Sequence, residues 1–354
     1  MDRLSLTAQT LYAELTEQVM AVEASRSIGR LPGSVTTKEI KGKRYYYYQY
    51  RDVNNKVRQI YLDSESEAFR RALENFASEK TAAKSDLEDI ERLCGALRAA
   101  GATTTPSGVA KILQAFSASG MFWRGAVLVG THAFAIFGNM LGVRWEKSAA
   151  VTQDIDVAQS DGLSLAVPNQ SVIDVPGVLQ QLRMGFLPVP QFDSRHPSTS
   201  FRVRGKELRV DFLTPLLRPT KPQPVLLREL NIAAQPLRFL DYLIESPDKA
   251  VAIADKGIMV QVPDPARYAL HKLLVSHDRA IISQTKVKKD LNQVAQLIEV
   301  LLEDRPGDVS RAWRDLKVRG GGWVKRVTAC VKALGKEHPE AGAGLMKKIP
   351  ELSD

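Results

Sequence analysis

Apolar and polar residues alternate along the chain in ways that predict most of its elements. Leu4, Leu11, Leu15 and Val19 recur at helical spacing among polar residues, so residues 1–29 read as an amphipathic helix. "IGRLPGS" (28–34) ends it with Gly and Pro. Residues 34–63 are β-branched and aromatic, with turn material at "KGK" and "DVNNK", and predict a two- or three-stranded antiparallel unit. Residues 64–100 predict a helix that Asp63 or Ser64 can cap. "AAGATTTPSG" (99–108) marks a boundary, and a short helix follows over 108–118. "GAVLVGTHAFAIFGNML" then predicts an apolar strand ending at Gly130 and a helix starting near Thr131. Two short strands come next: "TQDIDVA" (152–158), and "KELRVDFLTP" (206–215). After the Pro-rich loop "RPTKPQPV" (218–225), residues 236–303 are helical in pattern with a strand at 258–262. Residues 305–354 predict a basic helical appendage with a loose tail. The organisation predicted is 1–118 (helix, Tyr-rich hairpin, helical linker), 119–235 (core), 236–305 (helical region) and 306–354 (appendage). No internal repeat is visible.

Composition changes this picture little. The chain has 354 residues, 44% hydrophobic and 25% charged, which is ordinary for a globular protein of two or three domains. Lys and Arg number 49 against 40 Asp and Glu, a net charge of +9, which favours anionic partners, nucleic acid or nucleotides first. Cys94 and Cys330 have neither zinc-site nor disulfide-framework spacing, and the N-terminus lacks an apolar signal core, so a reducing cytoplasm is expected. Residues 125–143 contain no Asp, Glu, Lys or Arg, but four glycines, Thr131, His132 and Asn139 interrupt them, so a membrane partner is not expected.

The chemistry begins with a conflict inside "TQDIDVA". Ile155 and Val157 take one face of the strand, so Asp154 and Asp156 share the other. Two carboxylates at that range repel unless a cation lies between them. Asp211, between Val210 and Phe212, is a third carboxylate in a strand. Three carboxylates converging from two strands suit two divalent cations such as Mg²⁺ or Mn²⁺, which prefer oxygen donors and share substrate phosphates. Upstream, glycine at a strand-to-helix turn lets the backbone approach a ligand, and a helix N-terminus attracts an anion. Thr131 can cap that helix or touch a phosphate. In the Tyr-rich unit, Tyr46, Tyr48 and Tyr50 share one face and Arg44, Arg51, Lys56 and Arg58 surround them. Such a surface stacks bases and holds phosphates, or else packs on a neighbouring domain.

"VGT", then "DID", then the lone Asp of "RVDF" resembles the nucleotidyltransferase superfamily with the DNA polymerase β-like fold. The resemblance implies an α+β core with a mixed sheet and flanking helices, over roughly 119–300. It implies Gly130 and Thr131 as the phosphate-facing turn, and Asp154, Asp156 and Asp211 as catalytic metal ligands. Asp211 would also help deprotonate the nucleophile. Thr131 replaces the usual Ser, and the longer gap before Asp154 implies an inserted loop at 138–151. "LGVRWEKSAAVTQDIDVA" is similar to a stretch of the abortive-infection type nucleotidyltransferases, which include tRNA-modifying toxins. Arg144 and Thr152 match its Arg and Ser. Residues 266–298 resemble its later Lys, Arg and Lys-Asp region, which implies Lys272 on the triphosphate with Arg279, Lys289 and Asp290 in support. Lys272, flanked by Leu270, Leu273 and Leu274, can alternatively snorkel to solvent, and Asp290 can be only a salt-bridge partner.

The resulting expectation is Mg²⁺-dependent transfer of an NMP from an NTP to a hydroxyl, with nucleic acid, RNA of tRNA type, as acceptor. The resemblance also implies toxin-like use and an antitoxin-like partner. The rivals are transfer to a small molecule or protein, and a nucleic-acid-binding adaptor with an inactive core.

Overall fold

The computed structural model describes residues 1–25, 34–40, 42–51, 57–64, 67–146, 153–160, 172–191, 197–216, 223–278 and 284–352. The chain opens with β1 (Asp2–Arg3) and α1 (Leu6–Ser25), which begins at Leu6 rather than at residue 1; residues 26–29 of the predicted 1–29 helix lie outside the described residues. β2 (Ser34–Ile40), β3 (Lys43–Arg51) and β4 (Val57–Ser64) form an antiparallel sheet in that order, with a register irregularity at Tyr46/Tyr47. α2 (Glu67–Ala99) and α3 (Ser107–Ala118) follow, as the helical patterns predicted.

The central sheet then begins. β5 (Val127–Val129) runs directly into α4 (Gly130–Met140), β6 (Val143–Arg144) pairs with β1, and β7 (Asp154–Ala158) carries the paired carboxylates. The 138–151 segment is therefore not a simple inserted loop: its first part finishes α4 and forms β6, while 147–151 lies outside the described residues. α5 (Val175–Gln181), β8 (Phe186–Pro188), β9 (Ser200–Val203), β10 (Arg209–Pro215), β11 (Val225–Leu227) and β12 (Ile232–Leu237) follow. The sheet order is β11-β12-β10-β7-β5, with β8 and β9 attached through β10. β10 is parallel to β7 and β12, while β5 and β9 are antiparallel to their neighbours, so the sheet is mixed. Ile155, Val157, Val210 and Phe212 are all buried, because one face of β7 and β10 packs into the core.

The remainder is α6 (Leu240–Ile244), β13 (Asp248–Ile253), β14 (Gly257–Val262), α7 (Pro265–Asp278), α8 (Gln284–Asp304), α9 (Pro306–Val318), α10 (Gly321–Glu337) and α11 (Pro339–Lys348). The hairpin β13–β14 adds a strand to the one predicted at 258–262. The C-terminal appendage is not a loose tail: Val327, Val331, Leu334 and Leu345 are buried, so α10 and α11 join the core. A single cluster of buried side chains runs from Tyr12 to Leu352, across the boundaries predicted at 118, 235 and 305. Tyr12 ties α1 into it by donating its hydroxyl to the Val251 carbonyl at 3.0 Å. No helix among the described residues is long and apolar enough to cross a membrane.

Candidate active site

The register of β7 against β10 decides what meets what. Asp156 lies opposite Asp211, and Asp154 lies opposite Arg209. β9 extends both rows, with Ser200 opposite Asp211 and Arg202 opposite Arg209. Alternation puts these side chains on one face of the sheet, so the three carboxylates predicted from sequence do come together.

Gly130 abuts this cluster. Its φ is +69°, in the left-handed region that glycine tolerates, and a methyl group there would lie 2.3 Å from Asp156 Oδ2. Any side chain would displace the carboxylate. Val129, not Thr131, is the N-cap of α4, and no side chain caps that terminus. Its first amides therefore remain available to an anion on the carboxylate side. Thr131 instead lies in the first turn, with its hydroxyl 3.5 Å from Lys289 Nζ. Tyr268 on α7 donates its hydroxyl to the Gly130 carbonyl at 3.0 Å and fixes the turn from above. Burial pushes that phenol up to about 12, so it stays a donor.

The charges are unevenly compensated. Asp156 is raised to about 7, first by burial and then by the negative charges of Asp211 and Asp154, against weaker opposition from Lys272 and Arg209. Asp211 has a partner: Arg209 Nε donates to its Oδ1 at 2.7 Å, and the Ser200 hydroxyl donates to the same oxygen. Arg209 also donates from Nη2 to Ser200 Oγ at 2.9 Å. This triangle engages one oxygen of Asp211. Among the described residues, no three His, Cys, Asp or Glu side chains are placed to hold a metal ion as they stand.

Cations cover the other side. Lys272 on α7 donates from Nζ to Asp290 Oδ1 on α8 at 2.6 Å, and Asp290 is 4% exposed. Lys272 is thus neither snorkelled to solvent nor alone: it lines the same cavity as Gly130, Asp156 and Asp211. Lys289 is lowered by burial and by the nearby charge of Lys272. Lys289 thus flanks the first turn of α4 through Thr131, while Lys272 lines the cavity itself.

The other predicted residues are either placed elsewhere or lie outside the described residues. Arg144 lies on β6, where its guanidinium donates twice to the Gly101 carbonyl, at 3.1 and 2.8 Å. It ties β6 to the α2–α3 connection and does not line the cavity that holds Asp156 and Asp211. Thr152 and Arg279 lie outside the described residues. In the Tyr-rich sheet Arg44 is exposed, but Tyr46 is 8% exposed, which removes it from any open stacking face. The side chains of Tyr48, Arg51 and Arg58 lie outside the described residues. Sequence reasoning missed Ser200, Arg209 and Tyr268. Arg209 was within reach of it, since residues two apart on one strand share a face. Ser200 and Tyr268 were not, because only tertiary pairing brings them in.

A family model described as nucleotidyltransferase matches residues 107–317, well over half of the chain. The chain belongs to that family. The match covers the Gly130 turn, all three carboxylates, Lys272 and Asp290, and leaves out the Tyr-rich sheet. No curated protein matches the chain. The crystal structure of an antigenic nucleotidyltransferase-like protein from Paracoccidioides brasiliensis aligns at 11% identity and a TM-score of 0.36, over 68% of this chain and 93% of that one. That likeness is too low to bear on the fold.

Proposed function

We propose that this nucleotidyltransferase moves an NMP from an NTP to a hydroxyl acceptor and releases pyrophosphate as the α–β phosphoanhydride bond breaks, with Mg²⁺ or Mn²⁺, two ions in all, held by Asp154, Asp156 and Asp211. The observation that carries the reading is the half-buried Asp156, set opposite Asp211 on β10 and two residues from Asp154 on β7, with the Gly130 turn pressed onto its carboxylate. A carboxyl so placed is costly unless a cation joins it. The donor set is all oxygen, which suits a hard divalent ion. Such ions would neutralise phosphate charge and lower the barrier to attack at the α-phosphate.

The chain's own groups do the rest. The first turn of α4 and Lys272 receive the triphosphate, with Lys289 beside Thr131 in support. Asp290 positions the Lys272 ammonium. Asp211 accepts the proton of the attacking hydroxyl, and to do so it must leave Arg209 and Ser200. Arg209 then faces the phosphates with its charge uncovered.

The acceptor in this reading is nucleic acid, RNA of tRNA type. The net charge of +9 and the exposed Arg44 on β3 support it. A cytoplasmic setting, toxin-like use and an antitoxin-like partner accompany that acceptor in the proposal. Binding of Mg²⁺–NTP to wild type and to the Asp154→Ala/Asp156→Ala variant tests the core of the reading. The variant is expected to lose at least tenfold in affinity. Equal affinities would remove the carboxylates from the site.

A further inference from the structure

The carboxylates occupy only one end of their cavity. It has a volume of about 680 Å³ and runs between the sheet face and α6–α7. From Asp156 and Asp211 it follows β10 and β12 past Leu213 and Gln235 to Leu237, Arg238, Phe239 and Leu243. The far end has a different chemistry: aliphatic walls, the Phe239 ring, the Arg238 guanidinium and the Gln235 side-chain amide. Gln235 lies opposite Leu213 on the neighbouring parallel strand, two residues beyond Asp211. At ordinary strand rise and spacing this puts it about 8 Å from Asp211, roughly the reach of one ribose from the reacting phosphate. Among the described residues no group hydrogen-bonds the Gln235 amide.

The ring at that end is held rigidly. Phe239 has φ +67° and ψ 0°, a left-handed backbone that a bulky residue adopts only when its surroundings impose it. Trp323 meets its ring edge-on with centroids 4.6 Å apart. The guanidinium groups of Arg238 and Arg326 lie 5.0 and 5.6 Å from the ring centroid. A wall fixed before any ligand arrives loses little entropy on binding.

We propose that this end is the subsite for the base of the incoming NTP, with Gln235 as the residue that selects it. The inference rests on the nucleotidyltransferase reading above and adds to it the base end of the substrate. A flat, largely apolar heterocycle fits between aliphatic and aromatic walls. Its edge carries a donor and an acceptor side by side, which is what a glutamine amide pairs with. The triphosphate then lies toward Lys272 and Gly130, and the ribose crosses the carboxylates.

The test uses the full chain with MgCl2 and no acceptor. Affinities are measured for ATP, GTP, CTP, UTP and inorganic tripolyphosphate, on wild type, Gln235→Leu and Phe239→Leu. Wild type is expected to prefer one base by about tenfold or more, the scale of a good hydrogen bond lost or kept. Gln235→Leu should shrink that spread to about threefold or less and leave tripolyphosphate binding unchanged. Phe239→Leu should weaken all four nucleotides while sparing tripolyphosphate. A spread unaltered in Gln235→Leu, or no base preference in wild type, overturns the subsite and gives this end to the acceptor's base instead. Failure of wild type to bind any NTP or tripolyphosphate removes the nucleotidyltransferase reading itself, and this proposal with it.

Discussion

Gly130 shows how narrowly the site is specified at the scale of one residue. A methyl group there would meet both a left-handed φ of +69° and the Asp156 carboxylate at 2.3 Å. The backbone strain alone costs about 1–2 kcal/mol. Gly130→Ala is therefore expected to lower the melting temperature and to weaken NTP binding more than tenfold, which calorimetry and titration will show. Asp156 carries the opposite tension. Its pKa is about 7 in the fold against an ordinary 3.8. In metal-free protein its contribution is most favourable below pH 4, where it is protonated whether folded or not. It is lost as pH rises from about 4 toward 7, because the unfolded carboxyl ionises freely while the folded one has to keep its proton. Asp156→Asn should accordingly melt higher than wild type at pH 8, by roughly 2–5 °C, and at about the same temperature at pH 4. Adding Mg²⁺ should close the gap at pH 8 by stabilising wild type alone. The carboxylates were legible in the sequence because strand alternation is a local rule. Their partner Ser200 was not, because the β9–β10 pairing joins residues whose sequence spacing carries no signal.

At the scale of elements, α7 and α8 are coupled through one ion pair. Lys272 and Asp290 meet at 2.6 Å with exposures of 16% and 5%. Removing one partner of so buried a pair leaves an uncompensated charge, at a cost of about 3–5 kcal/mol. Lys272→Met should be strongly destabilised, and Lys272→Met/Asp290→Asn should recover much of that loss in denaturant titrations. Neither is expected to recover NTP binding, since the ammonium is absent from both. If the double variant binds NTP like wild type, Lys272 is structural only. Helix patterns made α2, α3 and α8 readable from sequence. β13 was hidden because "KAVAI" is a short apolar run, which periodicity alone cannot separate from a helix segment. The C-terminal helices were legible as helices, but Gly320, Gly321, Gly322 and many cations hid that their apolar positions at Val327, Val331 and Leu334 pack into the core.

At the scale of the whole molecule, the site is assembled from segments more than a hundred residues apart. β5–α4, β7 and β10 supply the turn and carboxylates, and α7–α8 supply the cations. The order of these parts was readable as a resemblance, and the family match over 107–317 agrees with it. The merging of α1 and the last three helices into one core was not, because the sequence offered loops at each boundary without saying what packs across them. The charge of +9 belongs to this scale as well. Binding to RNA should weaken steeply between 50 and 200 mM salt through counterion release, by about 10³-fold or more if six phosphates are contacted. Deleting residues 34–64 should reduce that RNA affinity and leave NTP affinity unchanged; unchanged RNA affinity would make the Tyr-rich sheet a packing or partner surface.

One assay reads the nucleotidyl transfer itself. The purified chain is incubated with Mg²⁺, each α-³²P-labelled NTP in turn and total RNA, beside the Asp154→Ala variant. Label passing from one NTP into RNA with wild type, and not with the variant, is the predicted result. Label on protein or on a small product would keep the transfer and replace the acceptor. Equal labelling by the variant, or no transfer from any NTP that wild type binds, would contradict the account.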